Sequence, residues 1–188
     1  MKKKRNMNRR DFLAYGGIGT LGAAGAFNLA KPLSAETPPD GMTLVEVDGV
    51  VDMEDFHSIL ILKDPAADRY LQVWVSFYQA SMIRIAMSDR EPNRPLTYEL
   101  MESLLDAGGV KVLYTSVTEL RYMTYHAEIA VKTGGKVLKL DCRPSDGIAL
   151  AVQTGADVYV STKTMEEEAR SKREIEERMR RIEPLKMA

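Results

Sequence analysis

A short polar segment, 141–147, contains the residues whose types and spacing are best suited to chemistry. Asp141 and Asp146 could supply oxygen ligands to a divalent cation such as Mg²⁺ or Mn²⁺. Arg143 could hold a phosphate group through two parallel hydrogen bonds. The segment follows an apolar stretch and leads into a helix predicted over 145–153, whose free backbone N–H groups favour an anion. The pattern indicates a cation or phosphate site at a strand–helix junction.

A second polar segment, 93–99, leads from a proline-bounded loop into another predicted helix. Its Arg94 is a further candidate for binding phosphate. A cation, its bound water and a neighbouring guanidinium are the components of metal-assisted phosphodiester hydrolysis. A purely structural role is equally open, because Asp146 can complement a helix dipole and Arg143 can pair with Asp141.

Composition excludes several classes of protein and several other kinds of site. The chain has 188 residues, of which 45% are hydrophobic and 28% charged, so it is neither disordered nor a multi-span membrane protein. One cysteine and two histidines exclude disulfide frameworks, zinc ribbons and histidine-rich metal centres. Cys142 ends an apolar strand with no histidine nearby in sequence, which favours a core residue over a nucleophile.

Charge is distributed unevenly along the chain. The net charge is −1, but residues 36–160 contain 11 basic and 19 acidic residues, a net of −8. This region lacks the broad basic surface of tight nucleic-acid binders. A nucleic-acid partner would therefore be bound weakly, through a local basic patch or through a bridging cation.

Residues 1–35 have the order of an export signal, with a basic stretch, an apolar stretch and then small residues. The uncharged run Leu13–Ala30 contains five glycines, which weaken it as a membrane-spanning helix. An arginine pair at Arg9 and Arg10 resembles a twin-arginine signal. We expect export by the twin-arginine machinery to a periplasmic or other extracytoplasmic location. An uncleaved membrane anchor is the alternative.

Hydrophobic periodicity predicts the elements that must position the two polar segments. Apolar or β-branched runs predict a first meander of three strands, then three more strands and a last short one. Strands are expected over 43–51, 58–63, 70–75, 110–120, 124–132, 136–141 and 158–160, and helices over 77–87, after Thr97 as N-cap, and over 145–153. No composition break divides 42–160, which we expect to be a single domain.

The remaining segment, 161–188, is predicted to be a charged C-terminal helix. Thr164–Glu167 has the sequence of a capping box, and several acidic residues precede a basic residue by four positions. The segment is either a solvated helix or, over 164–188, a docking arm for a protein partner. Its thin apolar stripe consists of Met165, Ala169, Ile175, Met179 and Ile182.

The two polar segments resemble the signature stretches of the bifunctional nuclease domain family. Arg94–Leu100 is similar to one stretch and Asp141–Ala151 to the other, and strand 71–75 with the helix after it also matches. The resemblance covers about Met42–Val160. It implies an α+β fold with a mixed, mostly antiparallel sheet and helices packed on it, cleavage of DNA and RNA, and assembly into a homo-oligomer.

The resemblance also implies that both segments contribute to one site. Asp141 and Asp146 would act as ligands of Mg²⁺ or Mn²⁺ or as the base, and no organic cofactor is expected. Thr97 would orient the substrate, although Glu99 beside it shares a polar helix face and is open to a solvated role. The expected catalytic residues are Asp141, Arg143, Asp146, Thr97 and Glu99, and the expected substrate-binding residues are Arg94 and Ser145.

Two positions depart from the family's pattern. Tyr98 and Glu99 stand where the family usually has His-Asp, and Gln79 stands where a Glu is common. Tyrosine does not titrate near neutral pH, and glutamine carries no charge. Two functions are therefore open: an exported nuclease acting on DNA or RNA, and a non-catalytic exported binding or assembly protein that keeps the fold.

Overall fold

The computed structural model describes residues 38, 40–53, 56–88 and 92–182. The expected export signal at 1–35 lies outside the described residues. Within them, no helix is both long enough and apolar enough to cross a membrane.

Seven strands in the described residues form one sheet. They are β1 (Met42–Asp52), β2 (His57–Lys63), β3 (Tyr70–Ser76), β4 (Lys111–Arg121), β5 (Thr124–Thr133), β6 (Lys136–Cys142) and β7 (Asp157–Ser161). Their order is β3-β2-β1-β7-β4-β5-β6, and every neighbouring pair is antiparallel except β4 with β7. The sheet is thus mixed and mostly antiparallel, as predicted. The first meander is confirmed, and β7 joins it to a second one made by β4, β5 and β6.

The described residues also form five helices. They are α1 (Phe77–Met87), α2 (Thr97–Ala107), α3 (Pro144–Thr154), α4 (Thr162–Glu168) and α5 (Lys172–Ile182). Thr97 is the first residue of α2 rather than its N-cap, which is Leu96. Proline begins α3, where its fixed φ angle suits the helix and its missing N–H costs no hydrogen bond.

The main core lies between one face of the sheet and helices α1, α2 and α3. We call this the helical face. Alternation along the strands directs Leu60, Leu62 and Leu71 to it, where they share a buried cluster with Ile83 of α1 and Ile148 of α3. The opposite side of the sheet is called the outer face. The α+β prediction is therefore confirmed, with the core on the helical face.

The C-terminal segment forms two helices where the sequence predicted one. Ser161 caps α4 by accepting a hydrogen bond from the backbone N–H of Thr164 (3.2 Å), and Met165 is fully buried in the main core. Arg170, between the helices, pairs its backbone with that of Tyr70 at the β3 edge. Ile175 of α5 then packs on the outer face. Residues 161–175 therefore belong to the folded domain and do not form a detached arm.

Candidate active site

The centre of the candidate site is Asp146, which accepts hydrogen bonds from both polar segments. The Tyr98 hydroxyl donates to Asp146 Oδ1 at 2.8 Å, and Arg143 Nε donates to Asp146 Oδ2 at 2.6 Å. Tyr98 is the second residue of α2, and Arg143 is the N-cap of α3. The first turns of two helices therefore meet at one carboxylate.

The position of Asp146 depends on close packing of α3 against the sheet. A Cβ atom added to Gly147 would lie 2.8 Å from both Cys142 Sγ and Thr115 Cγ2, a distance that real Cβ atoms do not tolerate. Thr115 Oγ1 also donates to the Gly147 carbonyl at 2.8 Å. The glycine is therefore required for the helix to approach β4 and β6, and it fixes the height of Asp146 above the sheet.

Burial and charge set the protonation states at this centre. Tyr98 is only 7% exposed, and burial, followed by its hydrogen bond to Asp146, raises the pKa of its hydroxyl. Tyr98 is therefore a hydrogen-bond donor at neutral pH and not a general base. The hydrogen bond to Asp146 likewise raises the pKa of Arg143, so the guanidinium keeps its charge.

The side chain of Arg143 is held at one atom and is otherwise exposed. Its Nε is held by Asp146, yet 72% of the side chain is exposed. A guanidinium carries five N–H donors, so one bond to Asp146 leaves donors accessible to a phosphate oxygen. The alternative that Arg143 pairs with Asp141 is not what the structure shows, because its partner is Asp146.

Asp141 is not brought together with Asp146. In the β5–β6 pair, Ala127 lies opposite Cys142 and Glu128 lies opposite Asp141. Ala127 is buried on the helical face, so Glu128 and Asp141 lie on the outer face, away from α3. The expectation from spacing alone did not account for this alternation, which places Asp141 and Asp146 on opposite faces of the sheet.

A cation held jointly by Asp141 and Asp146 does not fit this arrangement. No group of three or more His, Cys, Asp or Glu side chains within the described ranges is placed to hold a metal ion. Mg²⁺, however, is commonly bound by one or two carboxylates together with substrate phosphates and water. Asp146 alone fits that mode, because 32% of its side chain is exposed beside Arg143.

The other residues of the first segment have structural contacts. Thr97 Oγ1 is 2.8 Å from the hydroxyl of Tyr78 on α1, which links the starts of two helices. Glu99 Oε2 accepts the backbone N–H of Leu96 at 2.9 Å and so satisfies the N terminus of α2. Glu99 also lines a small groove beside Tyr98, together with Leu96 and Gln153.

The two expected substrate-binding residues have different surroundings. Arg94 is exposed in the loop just before α2, where a phosphate could reach it. Ser145 is only 7% exposed in the first turn of α3, so its hydroxyl has little access to a ligand. At the same helix end, the N–H groups of Asp146 and Gly147 both donate to the Arg143 carbonyl at 3.0 Å. The helix N terminus is therefore largely satisfied from within the chain.

Gln79 has a role that does not involve the site. Its side-chain oxygen accepts the backbone N–H of Ser76 at 3.1 Å, and the Ser76 hydroxyl is hydrogen-bonded to the same oxygen. Ser76 in turn accepts the backbone N–H of Gln79, which completes a capping box at the start of α1. Glutamate and glutamine serve equally well at this position of a capping box. A glutamate at this position could therefore make the same capping contact, so the departure from the family's Glu does not disturb the start of α1.

Sequence reasoning missed two tyrosines of the site. In the sequence, Tyr98 stands out only as a departure from the family's histidine, and its contact with Asp146 joins two segments that are distant in sequence. Nothing in the sequence pattern marks Tyr78. The signal that could have found Tyr98 is its place inside one signature stretch, since both stretches were expected to form one site.

The chain is similar in sequence to proteins of one domain family. Residues 60–173 match the model of the bifunctional nuclease domain. Uncharacterized proteins from two strains of Mycobacterium tuberculosis are each 31% identical over 117 residues, which is 62% of this chain and 70% of theirs. Bifunctional nuclease 2 of Arabidopsis thaliana is 28% identical over 109 residues, which is 56% of this chain and 33% of that protein. The matched region spans β2 to α5 and contains both segments that meet at Asp146. This chain belongs to the bifunctional nuclease domain family.

Proposed function

We propose that this protein is an exported nuclease that hydrolyses phosphodiester bonds in DNA, RNA or both. The observation that carries the proposal is the convergence of Tyr98 and Arg143 on Asp146. It gathers a carboxylate, an exposed cation and a hydroxyl donor from the two segments most similar to the nuclease family. These are the groups that positioning and charge stabilisation of a phosphodiester require.

Arg143 is the proposed phosphate-binding residue. Hydrolysis places additional negative charge on the phosphoryl oxygens, and a fixed guanidinium beside them stabilises that charge. Asp146 holds one edge of the guanidinium, which restricts its orientation before substrate arrives. Arg94, exposed before α2, is proposed to contact a neighbouring phosphate.

Asp146 is proposed to orient the attacking water, as a base or as the ligand of a divalent cation. Such a cation would supply a Lewis acid and lower the pKa of a bound water. Tyr98 is a positioning residue, because it acts through its hydrogen bond to Asp146 and not on the substrate. A tyrosine supplies the donor that a histidine could supply there, so the departure at this position does not by itself remove the function.

Export is proposed from the N-terminal sequence. The twin-arginine resemblance at Arg9 and Arg10 and the apolar stretch that follows support a periplasmic or other extracytoplasmic location. A chain with a net charge of −8 over 36–160 would bind nucleic acid weakly, so we propose that the cation and Arg143 supply most of the attraction.

A second candidate is a non-catalytic binding or assembly protein with the same fold. Its support is that the contacts of Asp146, an ion pair with Arg143 and a hydrogen bond from Tyr98, can equally serve a purely structural role. Deletion of 164–188 cannot separate the two candidates, because Met165 is fully buried in the core and the deletion would unfold the domain. The distinction must come from point variants at the site.

The decisive experiment is cleavage of single-stranded DNA and RNA by the purified full chain and by Asp146→Asn. Each protein is assayed with Mg²⁺, with Mn²⁺ and with chelator. The control is Asp106→Asn, which changes an exposed carboxylate at the other end of α2. We expect Asp146→Asn to lose cleavage while Asp106→Asn keeps it. Equal cleavage by parent and Asp146→Asn would refute the site, and a folded parent without cleavage would favour the binding protein.

A further inference from the structure

Exposed aromatic side chains are concentrated at one place on the described part of the chain. Five described Phe, Trp and Tyr side chains are exposed, and four of them lie around the junction of β2, β3 and α1: Phe56, Trp74, Phe77 and Tyr78. We call these four residues, with the exposed His57, the aromatic band. The fifth, Tyr122, lies in the hairpin between β4 and β5. Exposed apolar surface gathered in this way marks an interaction site.

Specific contacts hold the aromatic band together. The rings of His57 and Trp74 meet edge to face, with their centroids 6.5 Å apart. The carbonyl of Phe56 accepts the backbone N–H of Phe77 at 2.9 Å, which ties the loop before β2 to the start of α1. Phe56 has a φ of 59°, in the left-handed region that residues other than glycine rarely occupy, and its side chain is 84% exposed. A strained backbone that keeps an aromatic ring in water costs stability and points to a function.

The aromatic band is continuous with the candidate active site. The hydroxyl of Tyr78 lies 2.8 Å from Thr97 Oγ1, and the next residue, Tyr98, donates its hydroxyl to Asp146. Arg94, three positions before Thr97, adds an exposed cation near this junction. A ligand that extends from Asp146 past Tyr78 therefore meets charged groups first and aromatic rings after them.

This order of groups fits a single-stranded nucleic acid. Proteins bind single strands with cations for the phosphates and aromatic side chains for the bases, whereas the base faces of a duplex are covered by their neighbours. The net charge of −8 over 36–160 limits the attraction for phosphates, so stacking is the contribution that this acidic domain can still supply. Glu54 and Asp55 directly precede Phe56 in the sequence, which disfavours phosphates at that end. The phosphates are therefore expected at Arg94 and Arg143, and the bases on the aromatic band.

We infer that the aromatic band is a base-stacking subsite that binds the unpaired bases of a single-stranded nucleic acid. Trp74 and Phe77 supply the main stacking surfaces, and Tyr78 begins the band beside the site. The subsite makes single-stranded DNA or RNA the preferred substrate over a duplex of the same sequence. The link to cleavage rests on the proposed nuclease function, but binding can be measured without any cleavage.

The first test uses the fluorescence of Trp74, which is the only tryptophan of the chain and so reports on the band directly. The full chain is titrated with a short oligothymidylate and with a duplex of the same length, both in the presence of chelator. We expect the single strand to quench the fluorescence and the duplex to quench it little. Absence of quenching by the single strand, or equal quenching by both, overturns the proposal and would assign the band to a protein partner instead.

The stacking residues are tested by the anisotropy of a labelled oligothymidylate. Trp74→Leu and Phe77→Leu should each weaken binding about tenfold, as for loss of one stacked base, while Trp74→Tyr keeps a ring and most of the affinity. Tyr122→Leu is the control, because it removes an exposed aromatic side chain outside the band. Circular dichroism checks that each variant is folded. Affinity of Trp74→Leu equal to that of the parent overturns the proposal.

The salt dependence of the same binding separates stacking from charge. Stacking involves no counterion release, so Trp74→Leu should keep the parent's slope of log affinity against log salt concentration. Arg143→Gln should reduce that slope by about one, as for loss of one phosphate contact. A reduced slope in Trp74→Leu would show that the residue acts on the phosphates, which contradicts a stacking role.

Cleavage assays distinguish failure of this inference from failure of the proposed function. Trp74→Leu should raise KM for single-stranded DNA about tenfold and leave kcat unchanged, because the band binds the substrate away from the reacting phosphate. If the parent shows quenching by the single strand but cleaves nothing, the nuclease proposal fails and the subsite stands. If the parent cleaves and Trp74→Leu has the parent's KM, the subsite is refuted while the nuclease proposal stands.

Discussion

The hydroxyl of Tyr98 lies 2.8 Å from Oδ1 of Asp146, although the two residues are 48 positions apart in the sequence. This contact joins the two segments that resemble the family's signatures. It also explains what the tyrosine does at the position where the family usually has histidine. Tyr98 keeps a hydrogen-bond donor there, but the imidazole, which would titrate near neutral pH, is lost.

Removing the Tyr98 hydroxyl should weaken both the fold and the site. We expect Tyr98→Phe to lower the free energy of unfolding by about 1 to 2 kcal/mol, because Asp146 loses a partly buried hydrogen bond to a charged group. Urea denaturation measures the change. Tyr122→Phe is the matched control, since Tyr122 is 94% exposed in the hairpin between β4 and β5. Equal stability of the two variants would show that the contact contributes nothing.

Changing Arg143 should lower nuclease activity and leave the stability of the fold almost unchanged. We expect Arg143→Gln to reduce cleavage about 100-fold, the typical cost of losing one group that stabilises transition-state charge. The unfolding transition should hardly move, because the ion pair with Asp146 is largely exposed. The control is Arg121→Gln, which breaks an exposed ion pair with Glu119 of 2.5 Å. Undiminished cleavage by Arg143→Gln would remove this residue from the mechanism.

A methyl group at residue 147 should be poorly tolerated. Gly147→Ala places a Cβ 2.8 Å from Thr115 Cγ2 and Cys142 Sγ, so α3 must move or the neighbours must shift. We expect a loss of about 1 to 3 kcal/mol in unfolding free energy, as for other overpacked cores. Thr115→Ser in the same background removes one of the clashing atoms and should recover part of the loss. No recovery would indicate that the clash is not with Thr115.

The thiol of Cys142 should be unreactive until strongly alkaline pH. Burial, followed by the charges of Asp141 and Asp146, raises its pKa from 9.0 to about 11. Alkylation by iodoacetamide at pH 9 should therefore be slower in the folded protein than in urea, and it should accelerate towards pH 11.

The same shift affects stability with a definite sign. Below pH 9 the thiol is protonated in both the folded and the unfolded state, so its contribution to the free energy of unfolding is fully present. Between pH 9 and 11 the unfolded thiol ionises first, and this contribution to folding is progressively lost. Cys142→Ala should flatten the fall in stability over this range. An unchanged pH dependence in the variant would assign the loss to other groups.

Most of the fold follows from local sequence patterns. The apolar run of β2 predicts a strand buried on both faces, and indeed Ile59 and Ile61 are buried on one side while Leu60 and Leu62 are buried on the other. The spacing of apolar residues after Phe77 correctly predicts α1. These patterns depend on neighbours in the chain, which a sequence displays directly.

The composition of the site could be predicted only in part. Sequence indicated Arg143 and Asp146, whose contact lies within one helix turn. It could not separate Asp141 from Asp146, because the face on which a strand residue lies depends on its pairing with β5. The break between α4 and α5 also escaped prediction, since the pairing of Arg170 with Tyr70 joins residues far apart in sequence.

The position of β7 has a consequence for how the protein is made. This strand is synthesised last of the seven, yet it lies in the middle of the sheet, between β1 and β4. A nascent chain can form each meander early, but the two halves stay unjoined until residues 157–161 leave the ribosome. A chain that terminates before residue 157 would therefore yield two half-sheets with exposed edges, a form that cellular proteases would readily distinguish from the finished protein.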